Sequence, residues 1–204
     1  NRSTGLMGLL LAQAARFRGA RVDFVHGPLQ IEHELLEGLN IFEIRSSHEM
    51  EAVLEKLHSS ADVIAMTAAI ADVRSKVNAN KTKLSKRFFL DSLKDQLEIV
   101  PDLLENLVNK REKKQVFLGF SALTGSDDNI KKLAMEKKIS KGCDLLMANP
   151  VDKENQGFES NSNGGWLLGP EDRVQKISVD SKFLIAHKLL DELKSLLVVK
   201  SIKK

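Results

Sequence analysis

The chain has 204 residues, 42% of them hydrophobic, enough for one full domain with a sizeable core but not for two generous ones. Lys and Arg (31) nearly balance Asp and Glu (28), and a dispersed net charge of +3 gives no electrostatic basis for binding nucleic acid or a membrane surface. The one cysteine, Cys143, excludes an internal disulfide and a Cys-rich metal site.

That cysteine sits among apolar residues in GCDLLMAN and reads as a buried, inert thiol, in keeping with a reducing, cytoplasmic location. No apolar run approaches the roughly 18 residues of a membrane span, and no signal peptide is recognisable, so a soluble protein is expected.

In chain order, residues 4–18 predict a helix, with Leu6, Leu9, Leu10, Ala14 and Phe17 near a 3.6-residue spacing and Gly19 as its stop. RVDFVH (21–26) predicts a strand ending at Gly27 and Pro28, and 41–44 a second. Ser46 or Ser47 can cap the next helix, which carries Glu49, Met50, Val53, Leu54 and Leu57. DVIAMT (62–67), VFLGF (116–120) and DLLMA (144–148) are nearly continuous apolar runs, as expected of strands covered on both faces.

A helix over 127–140 separates the last two strands. The segment 74–97 is long, basic and weakly periodic, which marks it as a functional loop. Residues 165–168 and 173–179 predict a hairpin around Gly169 and Pro170, followed by an amphipathic helix over 181–197 and a frayed tail, KSIKK.

This alternation predicts a single domain over 1–204 with a Rossmann-like, three-layer α/β fold. It has a mostly parallel sheet, helices on both faces and a late β-hairpin over 165–179. Ligands of such sheets gather beyond the carboxyl ends of the strands. AAIADVR, FSALTG and ANPVDKENQGF, which follow predicted strands, are therefore the candidate walls of a site.

Several groups of residues could carry chemistry. Ser3, Thr4 and Gly5 open the first helix, where unpaired N–H groups and the helix dipole stabilise an anion by roughly 0.3–1 kcal/mol. An ordinary Ser or Thr cap is the plainer alternative. Gly5 and Gly8 do not complete a dinucleotide fingerprint or a P-loop. Lys81, Lys83 and Lys86, in KTKLSK, could close over a polyphosphate or form a solvated loop.

Small residues in AAIADVR leave room for a flat base or a pantetheine arm. Asp72 could accept a hydrogen bond, hold a magnesium-bound water, or simply pair with Arg74. Pro101 to Leu104 begin a helix with proline in its favoured first position. Lys137 and Lys141 share a helical face, which solvation alone also explains. His26, His33, His48, His58 and His187 show no metal-ligand spacing, and no G-x-S-x-G elbow is present.

In order, NRSTGLMG, RGARVDFVHGP, SSHEM, AAIADVR, KTKLSK, VPDLL, LGFSALTG and CDLLMANPV resemble the successive motifs of the phosphopantothenoylcysteine synthetase family. These are phosphopantothenate–cysteine ligases, and in bacteria they form the ligase domain of a bifunctional coenzyme A biosynthesis flavoprotein. The resemblance runs from Asn1 to the final helix and implies a nucleotide-dependent acid–amino acid ligase. The carboxylate of 4′-phosphopantothenate attacks the α-phosphate of CTP, or ATP, releasing pyrophosphate and forming an acyl-nucleotidylate. The amine of cysteine then displaces the nucleoside monophosphate.

The resemblance also implies roles for individual residues. Asn1 corresponds to the asparagine that handles the acyl-nucleotidylate, and Lys81 to the first lysine of a K-x-K motif that stabilises the transferring phosphoryl group. Ser3, Thr4 and Gly5 fall at the anion-binding turn. Met66, Thr67, Ala68, Asp72, Pro101, Asp102, Leu103, Leu104, Phe120, Lys137 and Lys141 match nucleotide-binding positions. Mg²⁺ would ride on the triphosphate without a dedicated protein cage. FMN is implied only where a decarboxylase domain is fused or associated upstream, and a homodimer is implied as well.

The chain also departs from the family pattern. Leu123 stands where members usually carry an acid, Leu6 where they carry a lysine, and Val100 where Asn-Pro-Asp is commoner. The family's strand and glycine-rich turn ahead of the asparagine are not in this sequence, so the first strand is expected to be missing. Two alternatives stay open: an oxidoreductase on a dinucleotide-binding sheet, although the chain has no Tyr for a Tyr-x-x-x-Lys pair, and a non-catalytic, truncated family-like domain.

Overall fold

The structure is a computed structural model that describes residues 3–29, 33–76, 97–112, 114–153, 157 and 160–202. Helix α1 (Leu6–Phe17) leads into β1 (Asp23–His26), which pairs in parallel with β2 (Asn40–Glu43). Helix α2 (Ser47–Leu57) precedes β3 (Val63–Met66), and β4 (Val73–Ser75) pairs antiparallel with β5 (Leu97–Ile99). Then come α3 (Leu103–Asn109), β6 (Val116–Leu123), α4 (Asp127–Lys141), β7 (Leu145–Pro150), β8 (Ser162–Leu168), β9 (Val174–Ser181) and α5 (Lys182–Ile202).

The five-stranded sheet runs β3-β6-β7-β8-β9, parallel from β3 to β7 and antiparallel from β7 to β9. Successive side chains of a strand point to opposite faces, and the apolar runs of β6 and β7 use this fully. Phe117, Leu146 and Ala148 join α2, α3 and α4 in one core. Val116, Leu118, Leu145 and Met147 join α1 and α5 in the other. The molecule is therefore the three-layer α/β arrangement that the alternation of elements predicts.

Gly119 faces the core beneath α3 and α4 with no room for a side chain, because a Cβ there would sit 2.8 Å from Leu104 and 3.4 Å from the sulfur of Cys143. Cys143 is buried, and desolvation pushes its thiol pKa up, so it is the inert thiol that its apolar setting implies.

Several predicted elements are revised. The predicted late hairpin is present as β8 and β9 with longer arms, and β8 also pairs with β7, so the hairpin extends the central sheet. VFLGF is only the first part of β6, which continues through Ser121, Ala122 and Leu123. Strand β3, expected to be covered on both faces, leaves Ala65 exposed, because among the described residues β3 pairs only with β6 and lies at the sheet edge. The loop 74–97 has short paired strands at its two ends, and residues 77–96 between them lie outside the described residues.

The final helix does not fray at KSIKK but continues to Ile202, because Lys200 donates to the backbone of Gln115 at 2.7 Å and pairs with Asp144 at 2.7 Å. Helix α1 is not opened by a Ser or Thr N-cap. Gly5 occupies that place with φ +76°, while Thr4 Oγ1 accepts weakly from Leu6 N at 3.4 Å. Pro101 lies ahead of α3 and is not its first residue. Asp102 is the N-cap there, accepting from the N–H groups of Leu104 and Glu105, both at 3.1 Å.

Ser46 caps α2 as predicted, accepting from Glu49 N at 3.2 Å, and Glu49 reaches back to accept from Arg45 N at 2.8 Å.

Two carboxylates tie the layers together. Asp144, just before β7, accepts from Phe117 N at 2.8 Å, from Arg111 at 3.0 Å and from Lys200 at 2.7 Å. Removing its charge in Asp144→Asn leaves two cations without their partner, and urea unfolding is expected to show a loss of about 2–3 kcal/mol.

Asp102 also pairs with Lys141, which joins α3 to α4. Burial works against ionisation of Asp102, but Lys141 and the capped amides together hold its pKa below the ordinary carboxylate value. A lowered folded-state pKa confers stability above the unfolded value of about 3.9, which disappears as the pH falls through the folded one. Asp102→Asn should therefore be less stable than the parent chain at pH 7, and in urea titrations the gap should narrow as the pH falls below the ordinary carboxylate value of about 3.9.

Candidate functional site

The carboxyl ends of the parallel strands open on one cavity of about 940 Å³. Its walls come from the ends of β1 (His26, Gly27) and β2 (Ile44), the segment after β3 (Thr67 to Ala71), the later part of β6 (Phe120, Ala122) and the end of β7 (Asn149, Val151). The first turn of α1 and the start of α5 complete it. This is the location expected for an open α/β sheet, and the size is that of a small-molecule site.

Close packing shapes the α1 wall. A Cβ on Gly8 would lie 2.5 Å from Thr67 Oγ1, and one on Gly5 would lie 2.2 Å from Leu29. Both glycines thus let the helix start approach the neighbouring segments, and the left-handed φ of Gly5 makes a side chain there strained as well. The result is a backbone turn whose first amides border the cavity.

The cavity is electropositive. Arg45, Arg74, Lys76 and Lys182 line it, and Glu98 is the one carboxylate among its described walls. Glu98 is already engaged, accepting from Arg74 Nε at 2.5 Å across the β4–β5 ladder, while Glu51 lies 3.8 Å from the same guanidinium. Asp72 does not pair with Arg74; its side chain is exposed, and its backbone carbonyl accepts from Val100 N at 2.9 Å.

His26 donates from Nδ1 to its neighbouring carbonyl, Gly27 O, at 2.7 Å. That bond places the proton on Nδ1, leaving Nε2 as an acceptor; it is buried and makes no hydrogen bond among the described residues.

Six of the sequence-predicted residues meet at this cavity: Ser3, Thr4, Gly5, Thr67, Ala68 and Phe120. The others lie elsewhere. Met66, Leu103 and Leu104 are buried in the core beneath α2, α3 and α4. Asp102 and Lys141 form the ion pair between α3 and α4, and Lys137 is exposed on α4. Pro101 precedes the Asp102 cap. Asn1, Lys81, Lys83 and Lys86 lie outside the described residues.

Sequence reasoning missed His26, Asn163 and Lys182 as cavity residues, whereas Asn149 lies in ANPVDKENQGF, one of the predicted walls. His26 was within reach, since it ends a predicted strand. Asn163 and Lys182 were not, because the return of β8, β9 and α5 to the sheet is a tertiary event.

Among the described residues no group of His, Cys, Asp or Glu side chains is arranged to hold a metal ion, and no helix is long and apolar enough to cross a membrane.

Comparison with known proteins places this geometry. The family model described as the DNA/pantothenate metabolism flavoprotein C-terminal domain matches residues 1–197. The coenzyme A biosynthesis bifunctional protein CoaBC of Vibrio parahaemolyticus is 29% identical over 97% of this chain and 48% of its own length. The chain spans about half the length of the curated relatives it matches.

A crystal structure of the C-terminal domain of CoaBC superimposes with a TM-score of 0.75 at 24% identity, covering 96% of this chain and 85% of the other. A Cab2 variant in complex with phosphopantothenate-cysteine gives 0.68 at 14% identity, over 98% and 80% of the two chains. These likenesses establish the shared fold. With its sequence matched almost end to end, the chain belongs to the DNA/pantothenate metabolism flavoprotein C-terminal domain family.

Proposed function

We propose that the protein joins 4′-phosphopantothenate to cysteine in coenzyme A biosynthesis, acting as a phosphopantothenate–cysteine ligase over a single domain. The observation that carries this reading is the electropositive cavity at the strand ends, in a chain whose family model covers residues 1–197. Relatives named for coenzyme A biosynthesis, and a fold neighbour named as a complex with phosphopantothenate-cysteine, support it.

In this reading a nucleoside triphosphate, CTP in preference to ATP, enters with Mg²⁺ on its phosphates. The pantothenate carboxylate attacks the α-phosphorus, the bond to pyrophosphate breaks, and an acyl-nucleotidylate forms. The cysteine amine then attacks the acyl carbon, and the nucleoside monophosphate leaves.

The turn at Ser3, Thr4 and Gly5 offers backbone amides to phosphate oxygens, and Thr67 and Ala68 leave a flat slot beside Phe120. Arg74 and Lys76, which precede the KTKLSK segment in sequence, add positive charge at the cavity wall. Asn1 donates to the acyl oxygen as it gains charge, and Lys81 stabilises the transferring phosphoryl group. Met66, Asp72, Pro101 to Leu104, Lys137 and Lys141 are assigned to nucleotide binding on the motif match, not on cavity contact.

A homodimer, a cytoplasmic location and a partner decarboxylase domain carrying FMN belong to the same proposal, in keeping with the word bifunctional in the relatives' names.

The decisive experiment measures pyrophosphate release. It is expected only when 4′-phosphopantothenate and CTP or ATP are both present, and Lys81→Gln should reduce it by at least about 10²-fold. Release that does not depend on the pantothenate substrate would overturn the reading. Gly5→Ala should lower turnover at least about tenfold, since it strains a left-handed turn and pushes Leu29 toward the cavity, and a matched melting curve will separate this from unfolding.

A further inference from the structure

The β4–β5 wall of the cavity carries charges of both signs side by side. Among the described residues β4 and β5 pair only with each other, and Arg74 stands directly opposite Glu98. Val73 and Ile99, the neighbouring cross-strand pair, are exposed, Ile99 at 82%. Successive residues of a strand point to opposite faces, so this ribbon turns its apolar pair outward and its charged pair toward the cavity that Arg74 and Glu98 line. A two-stranded ribbon is marginal by itself, and the contacts of Arg74 with α2 help to seat it.

The charged pair is held on one side and open on the other. Arg74 Nε donates to Glu98 Oε1 at 2.5 Å, and Nη1 faces α2, 3.5 Å from Ser47 Oγ and 3.8 Å from Glu51 Oε2. Nη2 of Arg74 and Oε2 of Glu98 make no hydrogen bond or ion pair among the described residues. The two side chains keep 22% and 39% of their surface exposed, so a ligand can reach them. A guanidinium and a carboxylate that share one hydrogen bond where two are possible present a donor and an acceptor together. Glu98 is also the one carboxylate among the described cavity walls, so a bound ammonium finds a full counter-charge only here. With Glu51 and Glu98 both beside one guanidinium, this wall suits a zwitterion better than a phosphate.

We propose that Arg74 and Glu98 form the subsite for the α-amino acid substrate, the guanidinium holding its carboxylate and Glu98 its ammonium, a role that rests on the ligase reading above. Cysteine is the amino acid in that reading, and its two charged groups match the donor and the acceptor that the ribbon presents. Holding both groups orients the amine, which is the nucleophile of the second step.

The test compares the KM for cysteine with the KM for CTP in the protein, in Arg74→Gln and in Glu98→Gln. Cysteamine, which has the amine and the thiol but no carboxylate, serves as a second probe, followed as a substrate or as an inhibitor. In Arg74→Gln the KM for cysteine should rise roughly ten- to hundred-fold, the loss expected for a charge-assisted contact, while cysteamine changes by no more than a few-fold. In Glu98→Gln both amines should weaken alike, by roughly ten-fold or more. The KM for CTP should stay within a few-fold in both variants, a split that a merely structural ion pair would not produce.

An unchanged KM for cysteine in either variant overturns the assignment and leaves the ligase reading standing. So does a rise that CTP shares equally, or a loss in Arg74→Gln that is as large for cysteamine as for cysteine. Failure of the parent protein to release pyrophosphate with 4′-phosphopantothenate and nucleotide overturns the ligase reading, and the assignment with it. If Arg74→Gln does not fold, Glu98→Gln decides alone, and loss of folding in both variants overturns the assignment in favour of a structural ion pair.

Discussion

The carboxylate of Asp144 stands where three structural layers meet. It accepts the N–H of Phe117 on β6, receives Arg111 from the segment after α3, and receives Lys200 from near the end of α5. One side chain therefore sets the start of β7 against β6 and anchors helices from opposite faces of the sheet. The strands that begin at this point are buried on both sides, so a slip of one residue would exchange Phe117 and Leu146 with Val116 and Leu145 between two differently shaped cores. Register at this end dictates where the same strands finish.

Where they finish is the cavity. Parallel strands β3, β6 and β7 all end on the same side, and the helix that follows or precedes each one leaves its turn there. The first turn of α1 closes against Thr67 because Gly8 has no side chain, and α5 arrives beside it because β9 runs antiparallel and delivers the chain to the same end. Positive charge gathers without a long basic run, from Arg45, from Arg74 and Lys76, and from Lys182, three places far apart in sequence. A near-neutral chain thereby holds a locally cationic pocket suited to phosphate-bearing substrates.

The Asp102–Lys141 pair bears on how the site is built. Both residues match nucleotide positions by motif, yet the pair ties the N-terminus of α3 to the end of α4 and does not line the cavity. The cap and the salt bridge use the same carboxylate, which settles the position of α3 over Gly119. A structural role and a ligand role are compatible in one residue, since a carboxylate that is locked in place is also preorganised.

By itself the sequence determined the layered α/β class, a serine cap at Ser46 or Ser47, the stop at Gly19, the inert character of Cys143 and the strand ends as the place for a site. These are local matters of periodicity, capping geometry and apolar composition, which act over a few residues. It also carried the ordered motifs from Asn1 to Val151 that marked the family.

The tertiary structure alone decided that Asp102, not Pro101, starts α3, that β8 and β9 extend the sheet, and that α5 continues to Ile202. It alone placed Lys182 in the cavity wall. Several of these depend on partners distant in sequence, such as Lys141 for Asp102 and Gln115 for Lys200, and no local pattern encodes a contact that only the assembled sheet creates.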